Sequence, residues 1–158
     1  IYGMDSALFS ALYDYIKIKD VGKTANQRMD INRIEIEDIG QLGVVNERLA
    51  SRLVSYRSKL GGYKNMGQIH EVYGMDSISK TVLADRLFIR PNFVPEKINI
   101  NQADYERLSE HPYINDQFAA AIVRYRNLNG GITGIEELTH FRSVDRYQID
   151  KLFPYLEF

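Results

Sequence analysis

LASRLVSYRSKLGG, residues Leu49–Gly62, is the stretch whose reading decides the fold. Leu49, Ala50, Leu53, Val54 and Tyr56 recur at helical spacing, basic residues flank them, and two glycines end the run as a left-handed C-cap would. At an offset of 69, Phe118–Gly131 reads FAAAIVRYRNLNGG, so that Ala50/Ala119, Val54/Val123, Tyr56/Tyr125, Arg57/Arg126, Gly61/Gly130 and Gly62/Gly131 coincide. One helix written twice in one chain points to tandem repeats.

The same offset carries the register outward. Asn32/Asn101, Asn46/Asn115, Asp76/Asp145 and Leu83/Leu152 also fall together. Asn32 with Glu35, and Asn101 with Asp104, have the spacing of an N-cap and its capping-box partner, opening short helices over 33–42 and 102–111. A tight connection follows in each copy, Gly43-Val44-Val45-Asn46 or Pro112-Tyr113-Ile114-Asn115, and then the long helix. A short helix (66–72 or 135–141), a second tight turn and a closing helix (77–87 or 145–153) complete the unit. Strand signals are lacking; Pro91 and Pro95 make 88–94 an extended linker. The reading is therefore all-α, with repeats at 30–95 and 96–158. Ile1–Ser6, IYGMDS, matches VYGMDS at Val72–Ser77, so 1–29 reads as the tail of an earlier, partial repeat followed by a polar linker.

Bulk composition narrows the function. The 158 residues are 44% hydrophobic and 26% charged, ordinary for a packed soluble chain. Without cysteine there is neither a disulfide nor a thiolate metal site. No apolar run approaches the roughly 20 residues that span a bilayer, so no membrane insertion is expected of this segment. A net charge of −1 gives no whole-molecule affinity for nucleic acid, and any such affinity must be local. Residues 30–95 carry nine Lys/Arg against eight Asp/Glu, and 96–158 seven against ten. Within 44–67, Arg48, Arg52, Arg57, Lys59 and Lys64 face only Glu47, whereas the equivalent 113–136 is neutral.

The succession of IleAsn, TyrArg, GlyGly and ValTyrGlyMet around two hairpins per unit resembles the helix-hairpin-helix domain of competence-type (ComEA-like) DNA-uptake proteins. The resemblance implies tandem (helix-hairpin-helix)2 units, SAM-like bundles, that bind double-stranded DNA without reading its sequence. It also implies a bacterial, extracytoplasmic, membrane-tethered context, although other helix-hairpin-helix proteins are cytoplasmic repair factors. Hairpin N–H groups at a helix N-terminus would receive phosphate oxygens. On this reading Val45, Asn46, Gly74, Ile114 and Asn115 offer hairpin backbone, and Arg48, Arg52 and Lys64 offer charge. The two glycines of the family hairpin fall on Val44 and Asn46, or Tyr113 and Asn115. Asn tolerates a left-handed conformation, whereas Val44 and Tyr113 are expected to put bulk where the sugar–phosphate approaches. Asp76 and Asp145 set a carboxylate at the second hairpins.

Each candidate has a plainer role beside the functional one. Asn46 and Asn115 can simply cap the following helix, and Tyr56 and Tyr125 lie on its core stripe. Arg57 and Arg126 suit a helix C-terminus. His70, His111 and His140 lack a second ligand at helical spacing, and no nucleophile–base arrangement is recognisable, so neither a cofactor nor catalysis is expected. The other reading is a helical protein-interaction or scaffold module that has lost DNA binding. A further one is an accessory domain of a nuclease or repair enzyme.

Overall fold

The computed structural model describes residues 28–158. The readings that fall on 1–27 lie outside the described residues. Two units follow one another. The first contains β1 (Met29–Asp30), α1 (Ile36–Gly40), α2 (Glu47–Leu60), a 3-10 turn (Met66–Glu71), α3 (Ser77–Arg86) and β2 (Leu87–Phe88). The second repeats the order as β3 (Ile98–Asn99), α4 (Tyr105–Ser109), α5 (Asp116–Asn129), α6 (Ile135–Leu138), α7 (Arg146–Leu152) and β4 (Leu156–Glu157). The architecture is all-α in tandem, as the repeat predicts.

The strands are the departure from the sequence reading. β1 pairs in parallel with β2, and β3 with β4, each over two residues. Each pair fastens the beginning of a unit to its end, and Ile31 and Ile100 extend the clasp by donating to Phe88 and Glu157 carbonyls. Two residues have no period, so patterning could not announce them.

Helix starts also shift. α1 is capped by Glu35 in a reciprocal box with Asp38, and α4 by Asp104, which accepts from the Arg107 amide at 2.7 Å. Asn32 and Asn101 are not caps. Asn32 Oδ1 accepts from the Tyr63 amide (2.7 Å) while its Nδ2 donates to the Tyr63 carbonyl (2.9 Å); Asn101 does the same with Ile132. Each thereby pins the loop after the paired glycines to the first turn of its unit. Arg57 and Arg126 complete this bracing by donating to the Ile31 and Ile34, or Ile100 and Ala103, carbonyls.

The core obeys the offset of 69: Ile39/Leu108, Leu53/Ile122, Ile69/Leu138 and Leu83/Leu152 are all buried. Where the units meet, the register breaks. Gln68 Nε2 donates to the hydroxyls of Tyr113 and Tyr155, both at 2.8 Å, and its Oε1 accepts from the Lys64 and Asn65 amides. Glu71 accepts from Tyr56 (2.7 Å), Tyr113 (2.8 Å) and Lys151 (2.7 Å). Burial opposes the charge on Glu71, but the three donors outweigh it and hold its carboxyl below the ordinary range. His111 packs against Tyr113 and Tyr155, with ring centroids 5.5 and 5.2 Å away.

Candidate nucleic-acid interface

The first hairpin of the first unit turns on Gly43, whose φ of +72° supplies the left-handed step. Val44 and Val45 follow in ordinary conformations, and Asn46 enters α2 extended, at φ −75° and ψ 161°. Its side chain accepts from the Leu49 amide at 2.9 Å. The Glu47 and Arg48 amides then begin the helix with no carbonyl behind them, at the positive end of a 14-residue dipole.

The second unit makes the same turn differently. Pro112 stands where Gly43 does, and His111 takes over the bracing: its Nδ1 accepts from the Tyr113 amide at 3.2 Å and its carbonyl from Ile114 at 2.9 Å. Asn115 is again an extended cap, accepting from Phe118 at 2.8 Å. The expectation of a left-handed Asn at these hairpins is thus corrected. An N-cap needs extended backbone, and that requirement wins.

The expected bulk is corrected at Tyr113. Val44 is half-buried against the core. Tyr113 is only 6% exposed because its ring turns into the joint between the units.

The two hairpins of each unit lie side by side. Ser79 Oγ donates to the Val44 carbonyl at 3.1 Å, and Gln148 Nε2 to the Tyr113 carbonyl at 2.9 Å. Gly74, at φ +90°, leaves room for Arg52: a Cβ there would sit 2.7 Å from Arg52 Nη1. That guanidinium donates to the Tyr73 carbonyl (3.1 Å) and lies 5.1 Å from the exposed Tyr73 ring. Asp76 and Asp145 cap the closing helices, each accepting an amide at 2.7 Å. Hydrogen bonding from the Ser79 amide above all holds the Asp76 carboxyl below its ordinary range. The second hairpins therefore already carry an anion where a phosphate would dock.

The helix-hairpin-helix motif matches the chain at residues 24–87 and again at 95–157. The chain belongs to the helix-hairpin-helix family. Such motifs are generally DNA-binding. The zebrafish (Danio rerio) endonuclease/exonuclease/phosphatase family domain-containing protein 1 is 24% identical over 80% of the chain, which covers 26% of that protein. The protein of the same name from Xenopus laevis is 22% identical over 81% of the chain, which covers 27% of it. The chain thus spans about a quarter of the length of these curated relatives. No solved structure matches.

Within the helix-hairpin-helix units, Asn46, Arg48, Arg52 and Gly74 gather at one end of the first unit. Val45 and Ile114 are buried side chains that could offer only backbone. Lys64 does not join the cluster. It lies beyond the C-terminus of α2, about 20 Å from Asn46 at 1.5 Å per helical residue, and donates to the Phe93 carbonyl. Ile114 and Asn115 belong to the hairpin whose Tyr113 is engaged with the first unit. Sequence reasoning counted Lys59 in the local charge without assigning it to the site, and passed over Ser55 and Tyr73. The spacing 48, 52, 55, 59 puts Arg48, Arg52, Ser55 and Lys59 on one face of α2, a signal legible in advance. Tyr73 had none. Among the described residues, the side chains of Arg48 and Lys59 have no hydrogen-bond or ion-pair partner. The corresponding face of α5 offers Gln117, Ala121, Arg124 and Leu128. Among the described residues, no group of three metal-ligating side chains converges and no helix is long and apolar enough to cross a membrane.

Proposed function

We propose that this chain is a non-catalytic module that binds double-stranded DNA through its phosphates, without reading sequence, and that the first unit makes the principal contact. One observation carries the reading: Arg48, Arg52 and Lys59 form a cationic face running from the exposed, Asn46-capped N-terminus of α2. Amides at the positive end of the helix would receive one phosphate, and the arginines the next along the strand. The second unit, with one cation on the same face and an acidic overall balance, serves as a rigid partner.

Random duplex DNA titrated by fluorescence anisotropy at two salt concentrations tests this. Binding is expected at about 50 mM salt and should weaken steeply as salt rises, because each neutralised phosphate adds about 0.9 to the slope. R48E/R52E should weaken binding and lower the slope by about 2. Absence of binding at low salt would leave the protein-interaction module as the better reading.

The names of the zebrafish and frog relatives favour a narrower context. There, the module holds DNA for an endonuclease/exonuclease/phosphatase-family domain. The competence-type resemblance favours DNA uptake instead. Both contexts use the same phosphate-binding face.

A further inference from the structure

We propose that a cleft at the opposite end of α2 binds one nucleotide of a single-stranded nucleic acid. Its base would lie against Phe88 and Phe93, and its phosphate on Arg28, Lys64 and Arg90. The cleft exists because of the linker. Phe93 seats its ring where a Gly62 side chain would be, 2.4 Å from the ideal Cβ, and Glu96 donates to the Gly61 carbonyl at 2.8 Å. Between them the linker turns back on itself: Phe93 donates to the Arg90 carbonyl, and Asn92 takes φ 62°. This leaves an open hollow of about 420 Å³ between the linker, β2 and the loop after α2.

Its chemistry is that of a nucleotide. The size falls within the roughly 300–1,000 Å³ of small-ligand sites. Phe88, Phe93 and Met66 line it, all half-buried and so partly open to a ligand. Arg28, Lys64 and Arg90 also line it, and no carboxylate does. In a chain of net charge −1, three cations around one hollow are a local anomaly. Arg28 gives one donor to the Leu87 carbonyl (2.8 Å) and Lys64 one to Phe93 (3.3 Å); each cation has further N–H groups. Arg90 approaches Asp30 at 3.7 Å, but that carboxylate also faces Arg33 and accepts from the Asn32 amide. An aromatic floor with a cationic rim stacks any base and holds its phosphate. The second unit has Thr133 for Lys64 and Glu157 for Phe88, so the arrangement occurs once.

The inference stands apart from the duplex reading, and one experiment separates them. Labelled oligothymidine, an abasic strand of equal length and a random duplex are titrated against the full chain by anisotropy at about 50 mM salt. Oligothymidine is expected to bind at least roughly fivefold tighter than the abasic strand, the low end of one base–aromatic stack. R28Q/R90Q should weaken oligothymidine about tenfold and spare the duplex. Because Arg28 also braces Leu87, K64Q provides a second test, lowering the single-strand salt slope by about 0.7. R48E/R52E should do the converse. Equal affinity for the two single strands, or K64Q without effect, overturns the proposal. Oligothymidine bound by the unsubstituted chain, with no binding of the duplex, would overturn only the hairpin reading.

Discussion

At the scale of single residues, equivalent positions of the two units do different work. Gly61 and Gly130 both end the long helix at φ +81°. A Cβ at Gly61 would lie 2.5 Å from the Glu96 carbonyl oxygen, whereas nothing lies within 4 Å of one at Gly130. G130A should therefore cost only the left-handed strain, about 1–2 kcal/mol. G61A adds a clash with linker backbone and should cost about 3 kcal/mol or more. Urea midpoints at matched slopes measure both, and equal losses would show that the linker does not bear on Gly61. The sequence showed both glycines as helix caps, which they are. It could not show the linker folding back, because that contact joins residues 35 apart outside any periodic element. Asn32 and Asn101 mislead for a related reason. Their spacing to Glu35 and Asp104 satisfies a local rule, while a partner 31 residues away takes the side chain.

Among elements, the long helices α2 and α5 were the most legible, since 14 residues give almost four turns of pattern. Half of the candidate interface was equally legible, because Arg48, Arg52 and Lys59 share a face by spacing alone. The hairpins were not. Their chemistry depends on which backbone takes positive φ, and Gly43 rather than the family's later positions does so. The clearest case is Tyr113. At the residue equivalent to Val44, its hydroxyl accepts from Gln68 and donates to Glu71, so the turn serves as a joint. Burial pushes its hydroxyl up to about 12, keeping it a neutral donor. Y113F should leave Gln68 and Glu71 each one partner short and destabilise by about 1–2 kcal/mol. Chemical denaturation at pH 7 reads this directly, and a loss near zero would mean that solvent replaces the hydroxyl.

For the whole molecule, the joint consists of residues that break the repeat. Gln68 and Glu71 correspond to Glu137 and His140, Tyr113 to Val44, and His111 to Leu42. Divergence of residue type, from aliphatic to aromatic at Tyr113 and His111 and between unlike polar groups at Gln68 and Glu71, marks the surface where the copies meet, although one copy alone could not say which faces touch. His111 makes this joint sensitive to pH. It is 2% exposed, its Nδ1 is occupied as an acceptor, and its Nε2 turns toward the Leu60 carbonyl short of hydrogen-bond geometry. Burial first, then the charge of Arg107, push its pKa down from 6.5 to about 4. The unfolded chain thus takes up a proton below about 6.5 that the folded chain refuses until about 4. Stability should be whole above that window and fall through it, by up to about 3 kcal/mol at 1.36 kcal/mol per unit. Glu71, Asp76 and Glu137 have lowered values, so their stabilisation is lost as pH falls from the ordinary carboxylate range downward, beginning at about pH 5. Melting temperatures between about pH 7 and pH 5 therefore isolate the histidine. H111Q, whatever its level of stability at pH 7, should flatten that dependence, since the slope counts protons taken up on unfolding. A slope unchanged in H111Q would place the sensitivity elsewhere in the fold.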